Sequence, residues 1–272
     1  MTTRIATLIC MKGGTPEAMA LRAIRSTASS LAQGDLIYLR VDGGQLMDPD
    51  GFRVAAAPAT LVLREVAEAR GLAHGLNKLV EEALRHPDVA FLARMDVDDE
   101  SLSGRMQIQR EFFEAHPELD ILGTACHEID ENGTYLQLKR MPLRHLEIVR
   151  ALPRSNPLNH PTVMMRRRVF ESGLRYRKDV RRTEDYHLWI AAASQRFVFA
   201  NLPNPLLNYC RDSRFFLRRG GFRQACADLN VRLRAILELH LFSPLNFLWA
   251  FSAFLLRLLP AWAQRWLYLQ LR

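Results

Sequence analysis

The chain is 272 residues long and 49% hydrophobic, with 37 basic residues against 29 acidic ones for a formal charge of +8. That length supports one sizeable core with at most a small appended region. The basic balance favours an anionic partner such as a nucleotide, nucleic acid or acidic lipid, while four scattered cysteines (Cys10, Cys126, Cys210, Cys226) without a C-x-x-C pair argue against a zinc site or a disulfide framework and fit a reducing cytoplasm.

From the N-terminus, the apolar stretch before Lys12 is too short for a signal peptide, so the expectation is a chain that is not exported. Residues 5–11, 35–41, 59–63, 89–95 and 119–126 read as strands, and 16–31, 72–85 and 102–115 carry helical spacing. This alternation predicts an α/β fold with a mostly parallel central sheet covered by helices. Gly43-Gly44 after the second strand and Gly71 before the second helix mark sharp turns, and the first follows an acid, Asp42.

From 139 to 182 the chain is arginine-rich and punctuated by Pro142, Pro153, Pro157 and Pro161, the pattern of binding loops laid over a sheet. The basic stretches 166–168 and 175–182 read equally as a solvated face, a diphosphate clamp or a lipid-phosphate contact. Thr183 is the expected N-cap of a helix whose first turn holds Glu184 and Asp185. Another helix is expected over 218–239. Beyond it, 241–256 is uncharged and Glu238 is the last acid, with Arg257, Arg265 and Arg272 following. Sixteen uncharged residues fall short of the ~20 a membrane span needs, whereas aromatics (Phe247, Trp249, Phe251, Phe254, Trp262, Trp266, Tyr268) among arginines suit an element lying on an anionic leaflet.

The densest chemistry lies at 91–99, where a strand-like apolar run ends at Asp96, Asp98 and Asp99. Carboxylates crowded this closely repel one another, and hard divalent cations such as Mg2+ or Mn2+ are their natural ligands. The carboxyl end of a strand in an open α/β sheet is also where ligands bind. Taken alone, the acids also suit a solvated turn, with Asp99 as a helix cap. A phosphate-cradling G-x-x-x-x-G-K-[ST] loop is absent from the sequence, which disfavours phosphoryl transfer.

Val41-Asp42-Gly43-Gly44, Gly71-Leu72-Ala73, the run Ala93-Arg94-Met95-Asp96-Val97-Asp98-Asp99-Glu100-Ser101-Leu102 with Arg105, the run Asn156-Pro157-Leu158-Asn159-His160-Pro161-Thr162-Val163-Met164, and Glu184-Asp185-Tyr186-His187-Leu188-Trp189 follow one another in order. This ordered set resembles the family 2 glycosyltransferases over roughly residues 5 to 209. The resemblance implies a GT-A-like three-layer α/β/α sandwich over 1–215, and the tail composition adds a helical region at 216–272 with an interfacial membrane-binding segment. It also implies inverting transfer of a sugar from a nucleotide-diphosphate-sugar to a hydroxyl of a glycan or lipid-linked acceptor, in cell-surface polysaccharide synthesis on the inner face of the cytoplasmic membrane.

By the same resemblance, Asp98 and Asp96 hold Mn2+ or Mg2+, and Asp96 and Asp42 contact the donor nucleotide, with Arg64 or His74 as the candidates for its phosphates. Asp185 is the base, with Glu184 as second choice, and His160 and Trp189 face the acceptor, although Trp189 reads as core by itself. No nucleic acid polymer is expected as a partner. The non-enzymatic alternative is a degenerate member serving as a membrane-associated binding partner or scaffold. The chain departs from the family at 10–14 and at Ala69, where asparagines are common, and at Gly43, where a second acid usually falls.

Overall fold

A computed structural model describes residues 3–212, 221–260 and 263. Strands β1 (Arg4–Lys12), β2 (Leu36–Asp42), β3 (Thr60–Val66) and β4 (Val89–Asp96) lie parallel in the order β3-β2-β1-β4. They are joined through α1 (Glu17–Ala28), α2 (Pro49–Ala55) and α3 (Leu72–Ala83). β1, β2 and β4 are buried at nearly every position and mostly apolar because both of their faces are covered, as expected of parallel strands between helical layers.

The other half of the sheet changes direction. β8 (Met164–Arg166) enters antiparallel between β4 and β6 (Ile121–Asp130). β9 (Phe199–Arg211) runs parallel to β6, while β5 (Glu100–Ser101) and β7 (Tyr135–Lys139) pair antiparallel with β9 and β6. The sheet is therefore mixed, and the parallel character expected of it holds for the β3-β2-β1-β4 half. The segment after β7 carries a short helix over His145–Ala151 and then enters β8 from the carboxyl end of β4, so β8 runs back antiparallel to it.

Helices sandwich this sheet in three layers. On one face Leu8, Tyr38 and Leu92 pack with α3 and with α7 (Glu184–Ser194), whose Trp189 is fully buried. On the other, Ile9, Leu39 and Phe91 pack with α1 and α4 (Arg105–Ala115). α8 (Phe222–Glu238) adds Val231 and Ala235 to the first core and carries α9 (Pro244–Leu258) on its outer side. The expected helix start at 102 moves to Arg105, because Gly104 adopts φ +75 and serves as the cap. Residues 218–220 of the expected α8, and Trp262, Arg265, Trp266, Tyr268 and Arg272, lie outside the described residues. Among the described residues no helix is long and apolar enough to cross a membrane.

The loops after β1 and β2 touch at the carboxyl end of the sheet. Gly13 N–H donates to the Asp42 carbonyl at 2.8 Å, and a Cβ on Gly13 would lie 2.1 Å from the Gly43 carbonyl oxygen. Gly13→Ala is therefore expected to destabilise the fold by roughly 1–3 kcal/mol, the usual cost of overpacking. A urea titration checks this, with a lower midpoint at unchanged slope as the expected result.

Candidate active site

β4 is buried up to Met95 and emerges at Asp96, so its last carboxylate and those of the following turn stand at the sheet edge. Ligand oxygens of Asp96, Asp98 and Asp99 lie within 4.8 Å of one another, the first two half-buried and the third buried. Asp99 Oδ1 accepts the Cys210 N–H at 2.9 Å, while its buried Oδ2 has no partner. Burial, then the charges of Asp96 and Asp98, hold the Asp99 carboxyl well above the usual carboxylate range. The cap reading of Asp99 is thereby corrected: helix α4 starts six residues later, and Asp99 completes the acidic cluster. Three carboxylates with one orphaned buried oxygen form an all-oxygen donor set that suits a hard divalent cation.

Two buried guanidinium groups lie under this cluster. Arg94, 1% exposed, donates to the Leu8 carbonyl at 2.9 Å, to the Met95 carbonyl and to Asp96 Oδ1. Arg105 donates from Nη2 to the Arg94 carbonyl at 2.9 Å and from Nε to Gln109 Oε1 at 3.1 Å. Burial pushes the Arg105 guanidinium down to about 9, against the pull of Asp99. Gln109 Nε2 in turn donates to the Leu122 carbonyl at 3.1 Å and the Thr162 carbonyl at 2.9 Å. A continuous buried polar chain thus runs from Asp96 to the turn at His160–Thr162.

That turn and the start of α7 form the facing wall. His160 Nε2 lies 3.1 Å from the Tyr176 hydroxyl, with the imidazole edge-on to Trp189. Burial and the Arg94 charge keep His160 well below its usual pKa, so the ring is neutral. Tyr176 is raised by burial, with Asp185 and Glu184 adding to the shift and Arg94 opposing it. Asp185 Oδ2 accepts Asn156 Nδ2 at 2.7 Å. Glu184 is 9% exposed, and its Oε2 has no partner. Burial, then Asp185 and more weakly Asp96, push its carboxyl up to about 7, partly opposed by the backbone N–H groups of Glu184 and Arg182. Asp96 adds to that rise, so the two acidic groups are near enough for one to sense the charge of the other.

Other expected site residues stand differently. Asp42, 6% exposed, accepts Arg40 Nε at 2.7 Å inside the sheet. Asp96, Cys10, Arg40 and Arg64 form one row across β4, β1, β2 and β3. Arg64 therefore lies three strand spacings, roughly 14 Å, from Asp96. Its guanidinium pairs with Glu82 of α3, Nε to Oε2 at 3.1 Å, and stands apart from the acidic cluster. Trp189 is corrected: at 0% exposure its ring cannot touch an acceptor and supports His160 from behind. Thr183 occupies the N-cap position without the capping bond, its Oγ1 buried and unpartnered. The sequence reading assigned no role to Arg40, Gln109, Asn156 or Tyr176. Arg94 and Arg40 left a local signal there, each as an arginine inside an apolar strand.

The chain is 32% identical over 205 residues to an uncharacterized glycosyltransferase of Haemophilus influenzae, across 75% of this chain and 74% of that protein. The chain belongs to the glycosyltransferases. It is also 33% identical over 165 residues to the amylovoran biosynthesis glycosyltransferase AmsE of Erwinia amylovora, spanning 60% of this chain and 61%, under two thirds, of AmsE. No family model matches it. The fold is similar to that of S. aureus TarS residues 1–349 in complex with UDP, with TM-score 0.62, 12% identity and coverage of 93% of this chain and 70% of that one. It is also similar to the Pyrobaculum calidifontis mannosyltransferase PcManGT in complex with GDP-Man and Mn2+, with TM-score 0.57, 17% identity and coverage of 100% and 81%. At these identities the likeness concerns the architecture, a GT-A-like α/β sandwich.

In this glycosyltransferase the raised Glu184 carboxyl ties stability to pH. The folded chain keeps the proton up to about 7 while the unfolded chain releases it near 4.5, so this contribution is full below 4.5 and is lost as pH rises through 7. Glu184→Gln should weaken the decline in stability between those values. Urea midpoints measured at both ends for the two proteins check this, and an unchanged decline would count against it.

Proposed function

We propose that this chain is an inverting glycosyltransferase that moves a sugar from a nucleotide-diphosphate-sugar to a hydroxyl of a glycan or lipid-linked acceptor, in cell-surface polysaccharide synthesis. What supports the reading is the cluster of Asp96, Asp98 and Asp99 carboxylates at the carboxyl end of β4, with the Glu184 carboxyl near enough to respond to the charge of Asp96. AmsE, named for amylovoran biosynthesis, supports the polysaccharide assignment, and the GDP-Man and Mn2+ of PcManGT support a sugar-nucleotide donor with a divalent cation.

Asp98 and Asp96 would hold Mn2+ or Mg2+, with Asp99 as a third oxygen ligand, and the bound ion supplies Lewis-acid stabilisation to a departing diphosphate. Arg94 fixes the rotamer of Asp96 from below, so the acidic cluster is set before the donor arrives. Asp42, oriented by Arg40, offers its second oxygen to the base or ribose. On the facing wall Asp185 accepts the acceptor proton, its carboxylate steered by Asn156. A carboxylate at this helix N-terminus suffices as proton acceptor, because the acceptor hydroxyl becomes acidic as its bond to the anomeric carbon forms. Glu184, raised toward 7, is the second candidate. His160, neutral and half-buried, presents its ring to the acceptor. The catalytic unit in this reading is 1–215, and the helical region 216–272 holds the enzyme to the inner face of the cytoplasmic membrane. The intact acidic cluster speaks against a degenerate scaffold.

Calorimetry with a panel of nucleotide-sugars, with and without Mn2+, identifies the donor and tests these roles. Asp98→Asn is expected to lose Mn2+-dependent donor binding. Asp185→Asn should bind the donor as the unmodified enzyme does, while turnover falls by about 10²–10⁴-fold. Full turnover in either variant overturns its assigned role.

A further inference from the structure

The first half of the basic stretch 175–182 is held fast beside α3. Asn77, buried in the second turn of that helix, donates from Nδ2 to the Tyr176 carbonyl at 2.8 Å and accepts the Tyr176 N–H on Oδ1 at 2.9 Å. One buried amide thus clamps both backbone groups of a single residue, and Arg175, Arg177 and Lys178 flank it in sequence. Cations on a backbone fixed in advance lose little freedom when a ligand binds. Between this segment and α3 lies a solvent-open groove of about 580 Å³, lined by Asn77 and Glu81 on the helix and by 173–179 on the loop. Its volume is that of an ordinary ligand site.

The groove carries more positive charge than its own acids balance. Glu81 pairs with Lys78 at 2.8 Å, and Asp179 with Arg177, Nε to Oδ1 at 3.0 Å. Among the described residues neither Arg175 nor Lys178 has a carboxylate partner. Arg175 Nη1 donates to the Phe170 and Leu174 carbonyls, both at 2.7 Å, which fixes the side chain and leaves its charge unneutralised. Lys178 is exposed. Both cations reach Glu81, whose carboxyl is lowered first by the Lys78 hydrogen bond and further by the charges of Lys78, Arg175 and Lys178. After burial, Lys178 is also the next cause that lowers His74 in the first turn of α3. Uncompensated charge beside an open groove favours an anion.

Position and lining select that anion. α3 starts at the carboxyl end of the sheet, and Glu81 lies ten residues past Gly71, roughly 15 Å down the helix. The groove therefore runs away from the end of β4, where a donor diphosphate would sit. Its large apolar side chains, Leu174 and Tyr176, are buried, so it offers a bilayer nothing to insert. An open, polar, cationic groove suits a hydrated chain with acidic groups. Tyr176 joins this groove to the acceptor wall, since it lines the one while its hydroxyl lies 3.1 Å from His160 Nε2 in the other.

We propose that the groove binds an acidic stretch of the acceptor glycan, with Arg175 and Lys178 contacting a carboxylate or phosphate on a sugar removed from the one that reacts. That the glycan is the acceptor rests on the roles proposed for His160 and Asp185; the binding of an acidic glycan does not.

The test uses the full chain with Lys178→Glu and Lys178→Arg, at an exposed position. Arg150→Glu, exposed on the short helix over His145–Ala151, matches the change in net charge. Calorimetry follows trigalacturonate, phosphorylated maltotriose, neutral maltotriose and phosphatidylglycerol vesicles. The unmodified chain, Lys178→Arg and Arg150→Glu should bind an acidic trisaccharide, more weakly as salt is raised, and ignore maltotriose. Lys178→Glu should bind it about tenfold less tightly, the loss of one charge-assisted contact. With glycan extracted from the producing cell as acceptor, that loss should fall on KM rather than on kcat. An unmodified chain that binds neither acidic trisaccharide, binds maltotriose as tightly or binds only the vesicles overturns the proposal. Equal affinity in Lys178→Glu, or an equal loss in Arg150→Glu, does the same. Weakened binding at an unchanged acceptor KM overturns the acceptor assignment. Binding without transfer to any acceptor overturns the catalytic reading and leaves the groove's ligand standing.

Discussion

The placement of Arg94 beneath Asp96 is the interaction on which the site depends. Three carboxylates within hydrogen-bonding range of a common point repel one another, and one of them is buried with an oxygen left unpartnered. A buried guanidinium that also satisfies two backbone carbonyls sets a fixed positive charge under the cluster and locks the rotamer of Asp96. Without it, the end of β4 would carry uncompensated negative charge in a poorly solvated place, the kind of cost that single substitutions expose. The buried Arg105 contributes by holding the Arg94 backbone from the opposite face of the strand.

The same chain of bonds joins the end of β4 to the turn at His160–Thr162. Arg105 contacts Gln109, and Gln109 pins the Leu122 and Thr162 carbonyls, so the turn carrying His160 is held against the strand carrying the carboxylates. Mixed topology is what makes this possible. An antiparallel β8 between β4 and β6 leads the looped segment across the sheet end and back, and sets Asn156 and His160 opposite Asp96. A sheet continued in parallel would have placed a covering helix there instead.

At the far side of this wall the C-terminal hairpin faces outward with the residues a core would contain. α8 is an ordinary amphipathic helix whose Val231 and Ala235 complete the interior, while α9 keeps its polar groups inward and its leucines and aromatics outward. The two helices share the ion pairs of Asp228 with Arg232 and Arg257, so the unusual helix is firmly held by the usual one.

Period and charge along the chain determined much by themselves. Continuous apolar runs specified the strands now seen as β1, β2, β4 and the first part of β6. The abrupt change from Met95 to Asp96 marked where chemistry would sit, and the last acid at Glu238 marked the tail as distinct. These are local properties, and a local pattern survives whatever the rest of the chain does. Partnerships were decided only in three dimensions. Arg64 is one residue in a basic and acidic stretch until register puts it on an edge strand beside Glu82, away from the carboxylates. Asp99 looks like a cap until Cys210, far along the chain, comes to its side. Trp189 could face either way until α7 turns it into the core, and Asp42 could bind freely until Arg40 claims one of its oxygens. A side chain's residue type states which bonds it can make; strand register and helix packing decide which partner comes within reach, and that information is spread over residues too distant in sequence for any local pattern to carry.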